Sequence, residues 1–282
     1  MTKRIDLHVH TTASDGLYSP VQMVDMAVDM GLCAMAITDH DTVEGLPEAC
    51  ARASERGFNL IPGIEFSIDF PKGTFHLVGL YLNYRDDRLL AALRNLKSLR
   101  ENRAQRILED LNKNGIFIPF DEVQKEAAGG SIGKPHFGRV LVRHGYAADL
   151  DQVFERFMVD GKPGDVPREK ISAREGMELI KGAGGIPVIA HPVSLGLNGP
   201  GAYDEFIGKL ITMGLRGIEA YAAMHNREWA DAFLLLARKH GLLVTGGSDF
   251  HGDRGEEIGL WGPEELIPCD LLEALETFRG SG

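Results

Sequence analysis

The stretch Ile5-Asp6-Leu7-His8-Val9-His10 alternates apolar and polar side chains close to the start of the chain. Side chains two residues apart in a β-strand point to the same face, so His8 and His10 face one spot at the C-terminal end of this predicted strand. Neutral imidazole and carboxylate groups bind divalent first-row metal ions. The stretch therefore predicts a β-strand that presents two ligands to one metal ion.

Strands and helices alternate along the chain beyond this first strand. Ser19-Pro20 is typical of a helix N-cap followed by proline in the first turn, and the predicted helix runs to Gly31. Cys33–Thr38 is an apolar run of the kind found in buried parallel strands. A second helix is predicted near Leu46–Arg56. The N-terminal region is thus a repeated strand-helix unit.

Five further strands are predicted from apolar runs, and the last three follow helical segments. They are Phe58–Phe66, Phe75–Leu80, Ile186–Pro192, Gly217–Tyr221 and Leu242–Asp249. Repeated strand-helix alternation favours parallel strands covered by helices, which means either a barrel or an open doubly wound sheet.

The middle of the chain, from about Asn83 to Pro167, is mostly charged, has helical spacing of its leucines and carries no comparable apolar strand. We predict that residues 1–99 and 167–282 form an α/β domain and that residues 100–166 are a helical insertion that contributes to substrate binding.

The least helix-like part of this insertion is Gly129–Arg139, which is predicted to be a loop. It combines glycine with Lys134, His136 and Arg139. Cations on such a loop suit recognition of a phosphate group. The alternative is that Lys134 and Arg139 are solvated charges and that His136 caps a helix.

Composition restricts the class of protein. The chain has 282 residues, 44% hydrophobic content and a net charge of -11, which argues against binding duplex DNA or an anionic membrane by bulk attraction. Three cysteines without CxxC spacing are too few for a disulfide framework. No long apolar run or signal-peptide core occurs. We expect a cytoplasmic protein, and its oligomeric state is not determined by the sequence.

Candidate metal ligands recur at the ends of predicted strands. Loops at the C-terminal ends of parallel strands share one rim, so side chains there converge. The strand-end residues are His8, His10, His40, His191, Asp249 and His251. Recurrence of these residue types at the same topological position in four separate units predicts a metal site.

Three further candidates are weaker when taken alone. Asp15 is either a ligand or a turn former before Gly16, and Glu65 is either a ligand or half of a rim salt bridge. His76, inside an apolar strand, is either a ligand or a hydrogen-bonded core histidine. Asp6 and Asp39 either orient metal-bound histidines or make ordinary rim hydrogen bonds.

Taken in chain order, these motifs resemble those of a known family across roughly residues 4 to 255. They are His8, His10 and Asp15 as H-x-H-x4-D, Thr38-Asp39-His40, Gly63-Ile64-Glu65, His76, Ala190-His191-Pro192, and Ser248 to His251 as S-D-x-H. They resemble the polymerase-and-histidinol-phosphatase (PHP) phosphoesterases of the amidohydrolase superfamily. The resemblance implies a distorted seven-stranded (β/α) barrel with a helical insertion.

The resemblance also implies how two or three divalent ions are held. His8, His10, Glu65 and Asp249 would bind the first, and Glu65 would bridge to a second. His76 and His191 would complete the second site, and Asp15, His40 and His251 would hold the third. Some members have histidine in place of Asp15, and a carboxylate there favours a harder ion. We expect Mn²⁺, with Fe or Zn as alternatives.

A hydroxide that bridges two metal ions is a nucleophile at neutral pH, so such a cluster suits hydrolysis of phosphate esters. The resemblance places Glu65, His191 and Asp249 at the centre of catalysis, and the sequence assigns no general acid. The chain is most similar to the subgroup that removes the 3′-phosphate from 3′,5′-bisphosphonucleotides such as pAp, giving AMP and phosphate. Lys134, His136 and Arg139 would then bind the substrate.

Three alternatives remain open. Related enzymes of this subgroup are 5′-to-3′ exonucleases on short RNA. Histidinol phosphate phosphatase, another activity of the family, would need a carboxylate to meet the substrate amine, whereas the insertion offers cations. A regulatory module that binds metal without catalysis is the non-enzymatic alternative.

Overall fold

Seven strands form the main sheet and follow one another around it in chain order. The computed structural model describes residues 4–127, 132–159, 161–167, 169–253 and 255–280, apart from the side chains of residues 100 and 101. The strands β1 to β7 are Ile5–Val9, Ala34–Ile37, Leu60–Ile68, Phe75–Leu80, Ile186–Ile189, Gly217–Ala222 and Leu243–Gly247. A separate antiparallel pair comprises β8 (Leu260–Gly262) and β9 (Glu265–Leu266).

Six of the seven strands run in one direction, and β4 runs against its two neighbours. Parallel neighbours require a crossover of about a dozen residues or more, whereas β3 and β4 are joined directly by residues 69–74. The short connection therefore imposes an antiparallel pair on an otherwise parallel sheet. As a consequence, the first residues of β4, including His76, lie at the same rim as the C-terminal ends of the other strands.

The two edges of the sheet approach each other. Val9 forms a parallel bridge with Phe250, just after β7, and the His10 amide donates a hydrogen bond to the Phe250 carbonyl at 2.9 Å. The sheet is thus nearly closed, and the predicted distorted seven-stranded barrel is confirmed.

Helices α1 to α10 connect the strands. They are Pro20–Asp29, Leu46–Arg56, Asp87–Lys113, Phe120–Glu126, Lys134–Arg143, Leu150–Val153, Ala173–Gly182, Gly199–Met213, Arg227–His240 and Leu271–Gly280. The predicted cap of α1 is present, since the Ser19 hydroxyl accepts from the Gln22 amide and the Gln22 side chain accepts from the Ser19 amide. Gly57 ends α2 in the left-handed conformation. Among the described residues, the helices are too short or too polar to span a membrane.

One buried cluster of apolar side chains draws on most of the strands, with Leu7, Ala36, Ile61, Val78 and Val188 among its members. Directly paired residues of neighbouring strands share a face of the sheet. Val78 pairs with Glu65 on one side and with Val188 on the other. The Glu65 carboxylate therefore lies on the same face as this apolar core.

The chain divides into two compact units, one of residues 1–91 with 171–282 and the other of residues 92–170. The predicted insertion, 100–166, lies within the second unit, and its role in substrate binding stays a prediction. The second unit has its own core, which includes Ile107, Leu111, Val123, Phe137 and Val140.

The prediction of a loop over Gly129–Arg139 is wrong for its second half. Lys134 begins α5, with Gly133 as N-cap and proline in the first turn. The His136 ring nitrogen Nδ1 accepts from the Gly133 amide at 2.9 Å, which is the helix-capping alternative. Glycine content thus marked the start of a helix. Residues 129–131 lie outside the described residues.

Candidate metal centre

The predicted ligands converge at one rim of the barrel. Each strand of the main sheet except β6 has at least one of them within it or in the loop that follows. We call the group the nine-residue cluster: His8, His10, Asp15, His40, Glu65, His76, His191, Asp249 and His251.

Glu65 lies at the middle of the cluster, with its side chain fully buried. Its Oε1 atom is 2.8 Å from His76 Nδ1 and 3.1 Å from His191 Nε2. Its Oε2 atom is 2.8 Å from His40 Nδ1 and 3.4 Å from His10 Nε2. The two oxygens of one carboxylate thus face histidines from different strands, which is the geometry that a bridging ligand needs.

Three sets of potential ligand atoms each lie within 4.8 Å of one another. The sets are His8, His10, Glu65 and Asp249; His40, Glu65 and His76; and His10, Asp15, His40 and His251. Glu65, His10 and His40 each belong to two sets. His191 is adjacent to the second set, since its Nε2 is 3.3 Å from His76 Nδ1. The structure therefore contains candidate sites for several ions that share ligands.

Hydrogen bonds outside the cluster fix which ring nitrogen of two histidines faces it. The Ser194 hydroxyl donates to the Thr74 carbonyl at 2.9 Å, so Ser194 Oγ accepts from His191 Nδ1 at 3.0 Å. His251 Nδ1 lies 2.7 Å from the Asp249 carbonyl, which can only accept. Both rings consequently carry a proton on Nδ1 and direct Nε2 toward the cluster, as metal-binding histidines do.

Glu219, on β6, is a residue of the site that the sequence analysis missed. Its side chain is almost completely buried, its Oε1 lies 3.1 Å from His8 Nδ1, and its Oε2 accepts from the His191 amide at 2.6 Å. The available signal was one carboxylate within the otherwise uncharged strand Gly217–Ala222, at the strand position where burial is expected.

Asp6 and Asp39 hold backbone and hydroxyl groups, which is the second of the two predicted alternatives. Asp39 accepts from the amide and hydroxyl of Thr11, both at 2.7 Å, and from the Ser14 hydroxyl at 2.6 Å. Asp6 accepts from the amide and hydroxyl of Ser248 at 3.0 and 2.6 Å. Asp39 thereby fixes the segment that carries Asp15, and Asp6 fixes the segment that carries Asp249.

The backbone is strained at two cluster residues. His191 has a φ of 26° and Asp249 a φ of 54°, and both values fall in the left-handed region that side chains other than glycine rarely adopt. Such conformations cost on the order of 1–3 kcal/mol each and cluster at functional sites.

The donor set fits divalent cations. Within the described part of the chain, His8 Nε2, His10 Nε2 and Glu65 Oε2 are buried and make no well-aligned hydrogen bond, although polar atoms of other cluster residues lie 2.8–3.4 Å away. Buried polar atoms in this state are costly unless another group satisfies them. Imidazole and carboxylate lone pairs pointing at a common position are satisfied by a metal ion.

Electrostatics of the cluster favour ionised carboxylates. Burial would raise the pKa of Glu65, but His76 and His40 hold it well below the usual range. Burial and the neighbouring His251 lower the pKa of His10 to about 3, so its ring is neutral and able to bind metal. For His8, burial lowers the pKa, but the nearby carboxylates of Glu65 and Glu219 outweigh it and raise the pKa well above its usual value.

The comparisons with known proteins agree with this geometry. The sequence pattern of the PHP domain matches residues 6–152. The chain belongs to the PHP family. A 3′,5′-nucleoside bisphosphate phosphatase of Chromobacterium violaceum is 36% identical over 265 residues, which cover 90% of each protein. The 5′-3′ exoribonuclease Rnm of Escherichia coli is 34% identical over 87% of this chain and 84% of its own.

Two solved structures have the same fold. An amidohydrolase from Chromobacterium violaceum, with sulfate bound, superposes with a TM-score of 0.82 at 33% identity, covering 98% of this chain and 96% of the other. A protein from Bifidobacterium adolescentis, named as a metal-dependent phosphoesterase, gives a TM-score of 0.85 at 29% identity and covers 99% and 96%. This PHP protein is therefore a phosphoesterase of the metal-dependent class.

Proposed function

We propose that the protein removes the 3′-phosphate from 3′,5′-bisphosphonucleotides and releases a 5′-mononucleotide and inorganic phosphate. The observation that carries the reaction type is the buried Glu65 carboxylate, whose two oxygens face histidines of two adjoining ligand sets. The substrate class is supported by the 36% identity to a 3′,5′-nucleoside bisphosphate phosphatase over 90% of both chains.

The nine-residue cluster would hold two or three divalent ions. We assign His8, His10, Glu65 and Asp249 to the first, Glu65, His76 and His191 to the second, and Asp15, His40 and His251 to the third. His10 and His40 each lie within reach of a second set, so they are the residues that would shift between ions. Mn²⁺ is the proposed ion, because carboxylates contribute to every set.

Bound divalent ions would supply a nucleophile from water at neutral pH and neutralise charge on the phosphoryl oxygens. Glu65, His191 and Asp249 form the proposed catalytic core, where they would hold the ions that bind the reacting phosphate ester. The strained backbone at positions 191 and 249 directs both side chains into the cluster.

A mechanism with a serine nucleophile has less support from the hydrogen bonds. Ser194 lies beside His191, but its hydroxyl proton is donated to the Thr74 carbonyl. Ser248 donates its own hydroxyl proton to Asp6. Neither serine therefore presents a proton to a histidine base, which nucleophilic catalysis requires.

Lys134, His136 and Arg139 are proposed to bind the second phosphate of the substrate. Each has a partner within the insertion. Lys134 Nζ bonds the Met158 carbonyl and lies 3.2 Å from Asp165 Oδ1. Arg139 Nε lies 3.7 Å from a carboxylate oxygen of Glu126. A phosphate would have to displace or share these partners, and its stronger charge favours that exchange.

A second candidate is 5′-to-3′ exoribonuclease activity on short RNA. It is favoured by two relatives named as 5′-3′ exoribonucleases, at 34% and 35% identity over 87% and 89% of this chain. Both substrates present a 5′-phosphate next to a 3′-phosphate ester, so one site can serve both.

The test is a comparison of substrates with the purified Mn²⁺-loaded protein. Phosphate release from pAp is compared with release from AMP and with nucleotide release from a 5′-phosphorylated RNA trimer. We expect kcat/KM for pAp to exceed that for AMP by at least about 100-fold, because only pAp offers the second phosphate. Equal turnover of pAp and AMP would refute the proposal, and faster turnover of the trimer would favour the exoribonuclease.

Three free cysteines are consistent with the proposed cytoplasmic location.

A further inference from the structure

Glu219 connects its neighbouring strand β5 with β1, which is not a neighbour of β6 in the sheet. It lies on β6, yet one of its oxygens reaches His8 on β1 and the other reaches the His191 amide at the end of β5. To reach β1 the side chain passes over β7, at Gly247. A Cβ atom at Gly247 would lie 2.9 Å from Glu219 Oε1 and 2.1 Å from His8 Cβ. The missing side chain of Gly247 thus leaves the path open.

The Glu219 carboxylate determines which ring nitrogen of His8 carries a proton outside the cluster. The His191 amide donates to Glu219 Oε2, and the other carboxylate oxygen, Oε1, accepts from His8 Nδ1. The other ring nitrogen of His8, Nε2, faces the cluster, where Glu65 Oε1 and Asp249 Oδ1 lie 3.2 and 3.4 Å away, and a bound metal ion would replace any proton on it. The tautomer that binds metal is therefore fixed from outside the cluster.

The second hydrogen bond of Glu219 holds the backbone of His191 rather than its ring. His191 has a φ of 26°, a conformation that needs support from its surroundings. Its amide is held by Glu219 at 2.6 Å. His8 belongs to the first proposed ion site and His191 to the second, so one carboxylate supports ligands of both.

We infer that Glu219 is a positioning residue that binds no metal itself but prepares the first and second ion sites together, through the His8 tautomer and the His191 backbone. This inference rests on the proposed metal assignment and does not depend on the substrate. It predicts that loss of the Glu219 carboxylate weakens binding of both ions in parallel, whereas loss of a ligand that serves one ion alone, such as His76, would weaken binding of that ion.

The test is Glu219→Gln, which keeps the size of the side chain. An amide has one oxygen and one NH₂ group. If the oxygen accepts from the His191 amide, the NH₂ group faces His8 Nδ1 and forces the proton of that ring to Nε2. If the amide is reversed, two donors meet at the strained His191 backbone. Either orientation disables one of the two supports.

The measurement is calorimetric titration of the metal-free full-length protein with Mn²⁺. We expect one high-affinity step to weaken by about 10- to 100-fold in Glu219→Gln, and both steps to weaken by about that factor in Glu219→Ala, which removes both hydrogen bonds. Glu256→Gln is the matched control, because Glu256 Oε1 is 3.9 Å from His251 Nδ1, a nitrogen whose hydrogen bond goes to the Asp249 carbonyl. Unchanged affinities in Glu219→Gln, or weakening of one step alone in Glu219→Ala, would overturn the inference.

A spectroscopic measurement on the unmutated protein keeps the inference testable if the variant fails to fold. Nitrogen-15 spectra of histidine side chains in the Zn²⁺-loaded protein should show His8 with its proton on Nδ1. A proton on Nε2 would overturn the inference. If the unmutated protein bound no ion at all, the proposed metal assignment would fail instead, so the two failures are distinguishable.

Discussion

Gly247→Ala should disable the metal centre through one added methyl group. Gly247 ends β7, and an added Cβ would lie 2.1 Å from His8 Cβ and 2.8 Å from the His8 amide nitrogen. Ordinary contacts of this kind are 3.4 Å or longer. The difference means that β7 and β1 must separate by more than about 1 Å at a position that also carries a proposed ligand.

The expected magnitude follows from that displacement. Overpacking of a core costs about 1–3 kcal/mol, and this contact falls at the upper end because it involves backbone and Cβ atoms that cannot rotate away. A misplacement of about 1 Å at a catalytic group lowers the rate by about 100-fold. We expect Gly247→Ala to lower kcat/KM for a simple aryl phosphate by about that factor and to weaken Mn²⁺ binding.

The assay compares Gly247→Ala with Gly208→Ala. Gly208 lies inside α8, and a Cβ there meets nothing within 4 Å, so alanine should stabilise the helix by about 0.4–1 kcal/mol and leave activity unchanged. Hydrolysis, Mn²⁺ affinity and thermal unfolding are measured for both. The reasoning is refuted if Gly247→Ala retains activity and Mn²⁺ affinity within about threefold of the unmutated protein, since an overlap of this size would then have been absorbed without moving His8.

Three further predictions concern other parts of the molecule. Tyr81 has a hydroxyl that is buried without a hydrogen bond to any described residue, and burial raises its pKa to about 12. The unfolded chain therefore loses this proton near pH 10 while the folded protein keeps it, so the free energy of unfolding falls as pH rises from about 10 to 12. Tyr81→Phe should reduce that fall when unfolding is measured across this pH range. An identical pH profile in the variant would contradict the argument. Removing metal with EDTA should lower the unfolding temperature, and Mn²⁺ at about 100 times its Kd should restore about 2.7 kcal/mol of unfolding free energy. An unfolding temperature that changes with neither EDTA nor Mn²⁺ would exclude a metal that binds the folded state. Lys134→Ala should raise KM for pAp by about tenfold, with little change in KM for an aryl phosphate. Lys125→Ala removes an exposed lysine of the same unit and should leave KM for both substrates unchanged. Equal effects of the two variants would count against phosphate recognition by Lys134.

The strand-helix order of the barrel was predictable because it depends on local patterns. Apolar runs bounded by turn and cap signals located β1 to β7 to within a few residues, and the N-cap at Ser19 and the bounds of the second helix were both correct. The direction of β4 was not predicted, since it depends on the length of a connection rather than on the strand itself. Lys134–Arg139 was assigned to a loop because glycine content outweighed the N-terminal helix signal of Gly133 and Pro135.

The candidate ligands were predictable for a different reason. Histidines and carboxylates at the ends of parallel strands converge on one rim whatever the details of packing. Glu219 escaped notice because its role depends on contacts across strands. Its side chain reaches past Gly247 to His8, and neither the glycine nor the carboxylate is unusual in sequence alone.

The sequence by itself determined the family, the order of the strands and the nine residues of the cluster, because these follow from periodicity and motif order. Only the tertiary structure decided that Glu65 is shared between ligand sets, that His76 reaches the rim by reversal of β4, and which nitrogen of His8 faces the cluster. The physical reason is that hydrogen-bond direction and lone-pair orientation depend on neighbours more than 100 residues away in the chain, such as the pair of His8 and Glu219, whose positions are separated by 211 residues.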